Sequence, residues 1–157
     1  MANGANAVYF GLPNYSARYR ATNFRRDELP AVMTFLHEHN VRGYVALNTL
    51  IFTSELADVA ATLAELVSAD VDAVIVQDLG VVELIRNVAP DLTIHGSTQM
   101  TLTEPRGVEF VRRLGVDGVI WLASYRSITS QRFRNRPRCR WKSSSTARCV
   151  WPTADNA

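Results

Sequence analysis

The stretch AVIVQDLGVVELIRNVAPDLTIHG, Ala73 to Gly96, decides the fold. Its first four residues, Ala73–Val76, form an apolar, β-branched run too short for a helix, so they read as a buried strand. Helical patterning follows from about Val81 to Val88 and stops before Pro90, because proline lacks a backbone N–H and its ring clashes with the preceding turn. A second apolar run, Leu92–Ile94, completes a strand–helix–strand unit, the connection that lays two strands parallel in one sheet.

The same alternation continues in both directions. Strand-like runs recur at Ala7–Phe10, Gly43–Leu47 and Gly118–Ile120. A first helix is expected from about Glu28 to His39, with Asp27 as N-cap and Leu29, Val32, Met33 and Leu36 on one face. Another is expected from about Glu55 to Ser68, capped by Ser54 and burying Leu56, Val59, Ala60, Leu63, Leu66 and Val67. The last opens near Pro105 and closes at Gly115. Four or five such units suit an α/β fold of either of two kinds: part of a (β/α) TIM-type barrel, or a small doubly wound parallel sheet. Periodicity alone does not choose between them.

The pattern breaks at Trp121. Residues 1–120 hold nine Arg, no Lys and fourteen acids, a net of −5, whereas residues 121–157 hold eight basic residues, one acid, both Cys and all three Trp. QRFRNRPRCRWKSSSTARC, inside that tail, has neither period two nor period 3.6, so the tail is expected to be unstructured. A basic tail with interleaved Trp matches a nucleic-acid arm, one reading of the chain. A change of reading frame explains it differently. When each codon is rebuilt from the third base of one residue and the first two of the next, Ile120 through Ser127 can read L-A-R-E-L-S-L. Arg140 through Ala157 can read V-E-V-F-V-H-G-A-L-C-V-A-Y-S-G-Q-C. The expectation is a domain over residues 1–120 followed by an out-of-frame tail over 121–157.

Charge and apolar runs exclude several classes. The acidic body offers no electrostatic reason to bind nucleic acid. No stretch reaches the 18 or so apolar residues of a membrane span, and no basic region followed by an apolar one marks the start for export, so a cytoplasmic, membrane-free protein is expected. Cys139 and Cys149 lack metal-ligand spacing. His37-Glu38-His39 lacks the HExxH spacing that sets two His on one helical face, and these histidines are expected in solvent, interacting with the helix dipole. There is no G-x-S-x-G elbow, P-loop or G-x-G-x-x-G, and no nucleophilic Cys in the body.

Candidate site residues follow from the fold, because ligands in parallel α/β proteins collect at the carboxyl ends of strands. Asn48 and Thr49 follow the second strand, Gln77 and Asp78 the third, and His95, Ser97, Thr98 and Gln99 the fourth. Asn14, Ser16, Arg18 and Arg20 follow the first. Asn48, Thr49 and Asp78 serve equally well as turn formers or caps. His95 with Ser97 and Gln99 suits a planar or anionic ligand, since histidine ordinarily changes protonation near neutrality. Arg18, Arg20, Arg25 and Arg26 either grip phosphate or carboxylate or pair with neighbouring acids.

AVYFGLPNYSARYRATNF (Ala7 to Phe24), ALNTL (Ala46 to Leu50), AVIVQDLG (Ala73 to Gly80) and HGSTQMTLT (His95 to Thr103) resemble, in order and spacing, the successive motifs of the U32 peptidase family. The string recovered from the shifted frame resembles that family's His-Gly-Ala, Cys, Tyr-Ser-Gly, Cys signature. The resemblance covers residues 3–120. It departs at the start, where the family has a further strand, a Leu-Ala-Pro-Ala-Gly-type turn and a helix, and this chain's opening residues resemble the end of that helix. It implies a barrel, and an activity that is either proteolytic and collagenase-like or the hydroxylation of a pyrimidine in tRNA or rRNA, or of a ubiquinone precursor. It also implies an iron–sulfur cluster for the hydroxylation branches, held by thiolates in the segment that begins with the signature. No such ligand maps onto an encoded residue, so no cofactor is expected here. The leading expectation is an aggregation-prone fragment of such an enzyme, inactive as encoded, whose site uses Arg18, Arg20, Asn48, Gln77, His95, Ser97 and Gln99. The alternatives are a small hydrolase active alone, or a nucleic-acid-binding protein that uses the tail.

Overall fold

The computed structural model describes residues 4–17, 20, 23–121, 140–142 and 147–150. Five strands, β1 (Ala7–Gly11), β2 (Arg42–Leu47), β3 (Ala73–Val76), β4 (Thr93–Gly96) and β5 (Gly118–Trp121), alternate with four helices, α1 (Leu29–Glu38), α2 (Leu56–Ser68), α3 (Leu79–Val88) and α4 (Pro105–Arg113). The strands pair parallel, each with the next in sequence.

The α/β class expected from the sequence is present as a five-stranded parallel sheet with four helices. A doubly wound sheet reverses its strand order at a switch point and carries helices on both faces. Here the order of the five strands does not reverse. Met33, Leu63, Ile85 and Val111, one from each helix, share a single core with Val45, Val74, Ile94 and Val119 of the sheet. All four helices therefore pack on one face of the sheet. Among the described residues the sheet stays open, with β1 at one end.

The turns from helix back to strand repeat one device. Asn40, Asp70 and Gly115 take left-handed φ values of 55°, 56° and 101°. The valine after each sends its N–H back into the helix: Val41 to Leu36 O at 2.9 Å, Val71 to Leu66 O at 3.1 Å and Val116 to Val111 O at 3.1 Å. These bonds satisfy carbonyls that the helix end leaves open, and the buried valines cover the last turn. Asp72 and Asp117 come next and tie adjacent strands together, Oδ2 of each accepting from Gly43 N and Ile94 N respectively, both at 2.8 Å.

Several local expectations are corrected. Asp27 and Ser54 do not cap α1 and α2; single 3-10 turns, Arg26–Glu28 and Thr53–Glu55, precede these helices. Glu28 and Glu55 reach back instead, accepting from Arg25 N at 2.7 Å and Phe52 N at 2.8 Å, and so supply the acceptors that the helix starts need. On α2, Val67 is half exposed, whereas Thr62 is fully buried and its hydroxyl donates to Asp58 O at 2.8 Å. His37 is not directed to solvent, its Nε2 lying 3.0 Å from Asp72 Oδ2; His39 Nδ1 does meet a carbonyl of the last helical turn, Phe35 O, at 2.7 Å. Within residues 121–157, β6 (Arg140–Lys142) pairs with β7 (Ala147–Val150), which runs antiparallel to β5. The physical reason is the edge of β5, whose backbone groups need partners once β4 occupies the other side.

Candidate functional site at the carboxyl ends of the strands

The face of the sheet without helices carries the candidate site residues. Tyr44, Ala73 and Ile75 form a small buried cluster there, joined by Ala7 and Ile120. Strand register sets Gly11 opposite Ala46, Ala46 opposite Ile75, Ile75 opposite His95 and His95 opposite Gly118. Because side chains alternate, this row lies on one face. His95 is 3% exposed, and its ring meets that of Tyr44 edge to face with centroids 5.2 Å apart. Its row is otherwise small, with two glycines and an alanine beside Ile75.

One alternation further along, Asn48, Gln77 and Ser97 follow on the same three strands at their carboxyl ends. Asn48 and Gln77 are half-buried and Ser97 is buried. The backbone after β4 is tightly held: Ser97 N–H donates to Val76 O at 2.7 Å, and Ser97 Oγ accepts from Gln99 N at 3.2 Å. The fold thus brings His95, Ser97, Asn48 and Gln77 to one end of one face. Gln99 lies in the next turn and is exposed, as is Arg20. Arg18 lies outside the described residues.

Two described residues after β1, Ser16 and Asn23, lie against the end of that strand. A Cβ on Gly11 would sit 2.5 Å from Ser16 Oγ and 2.7 Å from Asn23 Oδ1, so glycine is required for these side chains to approach the strand. Ser16 is buried and Asn23 half-buried. The sequence placed Ser16 near the mouth but passed over Asn23 and Tyr44. Gly11 at a strand end was the one available signal, since glycine there marks a close backbone approach.

Two bonds fasten the loop after β1. Ala17 N–H donates to Asn48 Oδ1 at 3.1 Å, so Asn48 is partly a turn former as well as a mouth residue. The Tyr15 hydroxyl donates to Asp58 Oδ2 at 2.7 Å, and Arg26 Nη2 meets the same oxygen at 2.9 Å. The hydrogen bond to Asp58 pushes the Tyr15 phenol up to about 12, and the same bond, with that from Arg26, holds Asp58 below the usual carboxylate range. Arg25 and Arg26 pair with acids, Arg25 with Asp27 and Arg26 with Asp58 and Glu65. Asp78 is structural: Oδ1 caps α3 through Gly80 N (2.7 Å) and Val81 N (3.2 Å), and Oδ2 accepts from Ile51 N at 3.3 Å.

This arrangement offers neutral hydrogen-bonding groups and one imidazole to a planar ligand. No group of three or more His, Cys, Asp or Glu able to hold a metal occurs among the described residues. Nor is there a helix among them long and apolar enough to cross a membrane. A [4Fe–4S] cluster needs four thiolates, and the chain has two cysteines; the donor set does not fit.

The sequence model of peptidase family U32 matches residues 1–124. The chain is similar to the 23S rRNA 5-hydroxycytidine synthase of Escherichia coli, at 32% identity over 75% of this chain and 18% of that protein. It is 37% identical to an uncharacterized protease of Methanocaldococcus jannaschii, over 68% of this chain and 26% of the relative. It is 32% identical to tRNA hydroxylation protein P1 of Bacillus subtilis, over 74% of this chain and 28% of the relative. The chain therefore spans less than a third of the length of these relatives. Among solved structures, that of a U32 peptidase superposes with a TM-score of 0.69 at 15% identity, covering 85% of this chain and 57% of the other, a likeness of fold.

Proposed function

The chain belongs to peptidase family U32, and on that premise we propose that it is the base-recognising part of an RNA-hydroxylation protein, inactive by itself as encoded. The observation that carries this reading is the mouth at the carboxyl ends of β2, β3 and β4. Its groups, Asn48, Gln77, Ser97 and His95, suit the edge of a pyrimidine, whose carbonyl and amino or imino groups need donors and acceptors in one plane.

The missing redox centre follows from the tail. In the adjacent frame, codons compatible with Arg140 through Ala157 can spell the family signature with its cysteines, whereas the encoded frame yields other residues. A change of frame at Trp121 therefore accounts both for the break in composition and for the shortage of thiolates.

The test is nucleoside analysis of bulk tRNA and rRNA from a host lacking its own hydroxylation proteins. The 157-residue chain should yield no hydroxylated pyrimidine, and a frame-restored gene should yield one. Hydrolysis of gelatin by either protein, with RNA left unchanged, would reverse the assignment in favour of a peptidase.

A further inference from the structure

Two ties of the same construction fasten the amino ends of the strands, and they differ in one side chain. In the first, Asp72 precedes β3, and its Oδ2 accepts from Gly43 N of β2 at 2.8 Å and meets His37 Nε2 of α1 at 3.0 Å. In the second, Asp117 precedes β5, and its Oδ2 accepts from Ile94 N of β4 at 2.8 Å and from Arg86 Nη2 of α3 at 2.7 Å. Each tie joins a helix, the strand that follows it and the start of the next strand through one carboxylate oxygen.

His37 thus stands where Arg86 stands. A guanidinium keeps its charge throughout the range in which a protein is folded, whereas an imidazole ordinarily gains or loses its charge near neutrality. The first tie also has a second carboxylate, since Asp70 Oδ2 lies 3.6 Å from His37 Nδ1. A neutral imidazole carries a proton on one nitrogen only, so the imidazolium alone turns an N–H and a charge towards both acids. Asp70 and Asp72, both from the turn between α2 and β3, are the described acids within 4 Å of the ring. Asp72 is the more buried of the two and is therefore the less screened partner. On α1 itself Glu38 is the next residue, and His39 turns back to Phe35 O. From β2, Arg42 lies on the other face, because Gly43 beside it faces Met33 and side chains alternate along a strand.

We infer that His37 makes the first tie responsive to pH: the imidazolium clamps α1 and β2 to the turn before β3, and its deprotonation loosens that clamp while the Arg86 tie stays closed. The contribution is fully present below the ordinary histidine value of about 6.5 and is lost as pH rises above it. The device sits at the amino ends of the strands and does not depend on what the mouth at their carboxyl ends binds.

The experiment is amide exchange of the dilute 157-residue chain at about pH 5.5 and about pH 8, read by mass spectrometry on peptides covering β2 and β4 and corrected for the intrinsic rate. The β2 peptide should exchange about 2- to 5-fold more slowly at the lower pH, the range for a partly exposed ion pair. The β4 peptide, held by the Arg86 tie, should show no such change and serves as the control within the same molecule. His37→Arg should keep the β2 peptide slow at both pH values, and His37→Gln should leave it fast at both. Asp72→Asn should abolish the pH dependence as well. A β2 rate that does not change with pH overturns the inference. So does a change shared equally by β4, which would report the stability of the whole fold, or a pH dependence that survives in His37→Gln or His37→Arg.

Discussion

The rings of Tyr44 and His95 meet edge to face, their planes 69° apart and their centroids 5.2 Å apart, on the face of the sheet that carries no helix. The contact spans β2 and β4 across β3, where Ala73 lies opposite Tyr44 and Ile75 opposite His95. Burial and ring contact together restrict the imidazole to few orientations.

In a frame-restored protein, His95→Ala should lower hydroxylation about 100-fold, the scale of a lost positioned imidazole. Gln99→Ala should have a smaller effect, since Gln99 is exposed. Tyr44→Phe should keep activity and Tyr44→Ala should lose it by freeing the His95 ring. Nucleoside quantification together with circular dichroism checks this; full activity of His95→Ala would return the residue to a packing role.

Arg86 should prove the main polar clamp of the α3–β4–β5 region. Its guanidinium donates to Gly115 O (2.6 Å), Pro90 O (2.7 Å), Leu92 O (2.8 Å) and Asp117 Oδ2 (2.7 Å). Lysine cannot reproduce that planar fork, so Arg86→Lys should cost about 2–4 kcal/mol, a few lost charge-assisted bonds. Gly115→Ala should also destabilise, because φ is +101° and the added Cβ would lie 2.7 Å from Arg86 Nε. Urea unfolding measures both.

The Tyr15 phenol, pushed up to about 12 by its bond to Asp58, should ionise as a late step in an ultraviolet titration. Because the folded value is raised, the stabilisation is fully present below the ordinary value of 10.0 and is lost as pH rises from there towards 12. Tyr15→Phe should delete the late step and loosen the loop after β1, which amide exchange would register.

Resequencing across codons 120 and 121 should find one base absent from the gene as read. An Ile codon ATC followed by CTG and GCT becomes ATC-TGG-CT when a C is lost, which encodes the observed Ile120 and Trp121. DNA downstream that encodes HGALC in no frame would end the frameshift account.

Strand β1 pairs only with β2 among the described strands, and an uncovered edge of a parallel sheet recruits other chains. Sedimentation of the 157-residue chain should show association that grows with concentration. A monomer that melts cooperatively would contradict this.

Much of this protein was legible before any fold was known, and the legible part is local. The runs at Ala73–Val76 and Gly118–Ile120, the end of α3 ahead of Pro90 and the end of α4 at Gly115 each depend on a few adjacent residues, whose backbone sterics and side-chain period act over one turn or one strand. Asp78 as a cap was open in the sequence for the same reason, and the bonds of its carboxylate resolved it. The strand order was decided only in three dimensions, because periodicity reports that a face is buried and not what buries it. Placing α1 to α4 on one side takes contacts such as Met33 with Leu36 near Val45, and these depend on packing among distant segments. The same holds for the site. His95 and Ser97 stood out as polar residues after a strand, whereas Tyr44 looked like one more apolar strand residue and Asn23 like one more loop residue. Their meeting with His95 and Gly11 exists only once β1, β2 and β4 share a register, since a single-residue slip would carry each side chain to the opposite face.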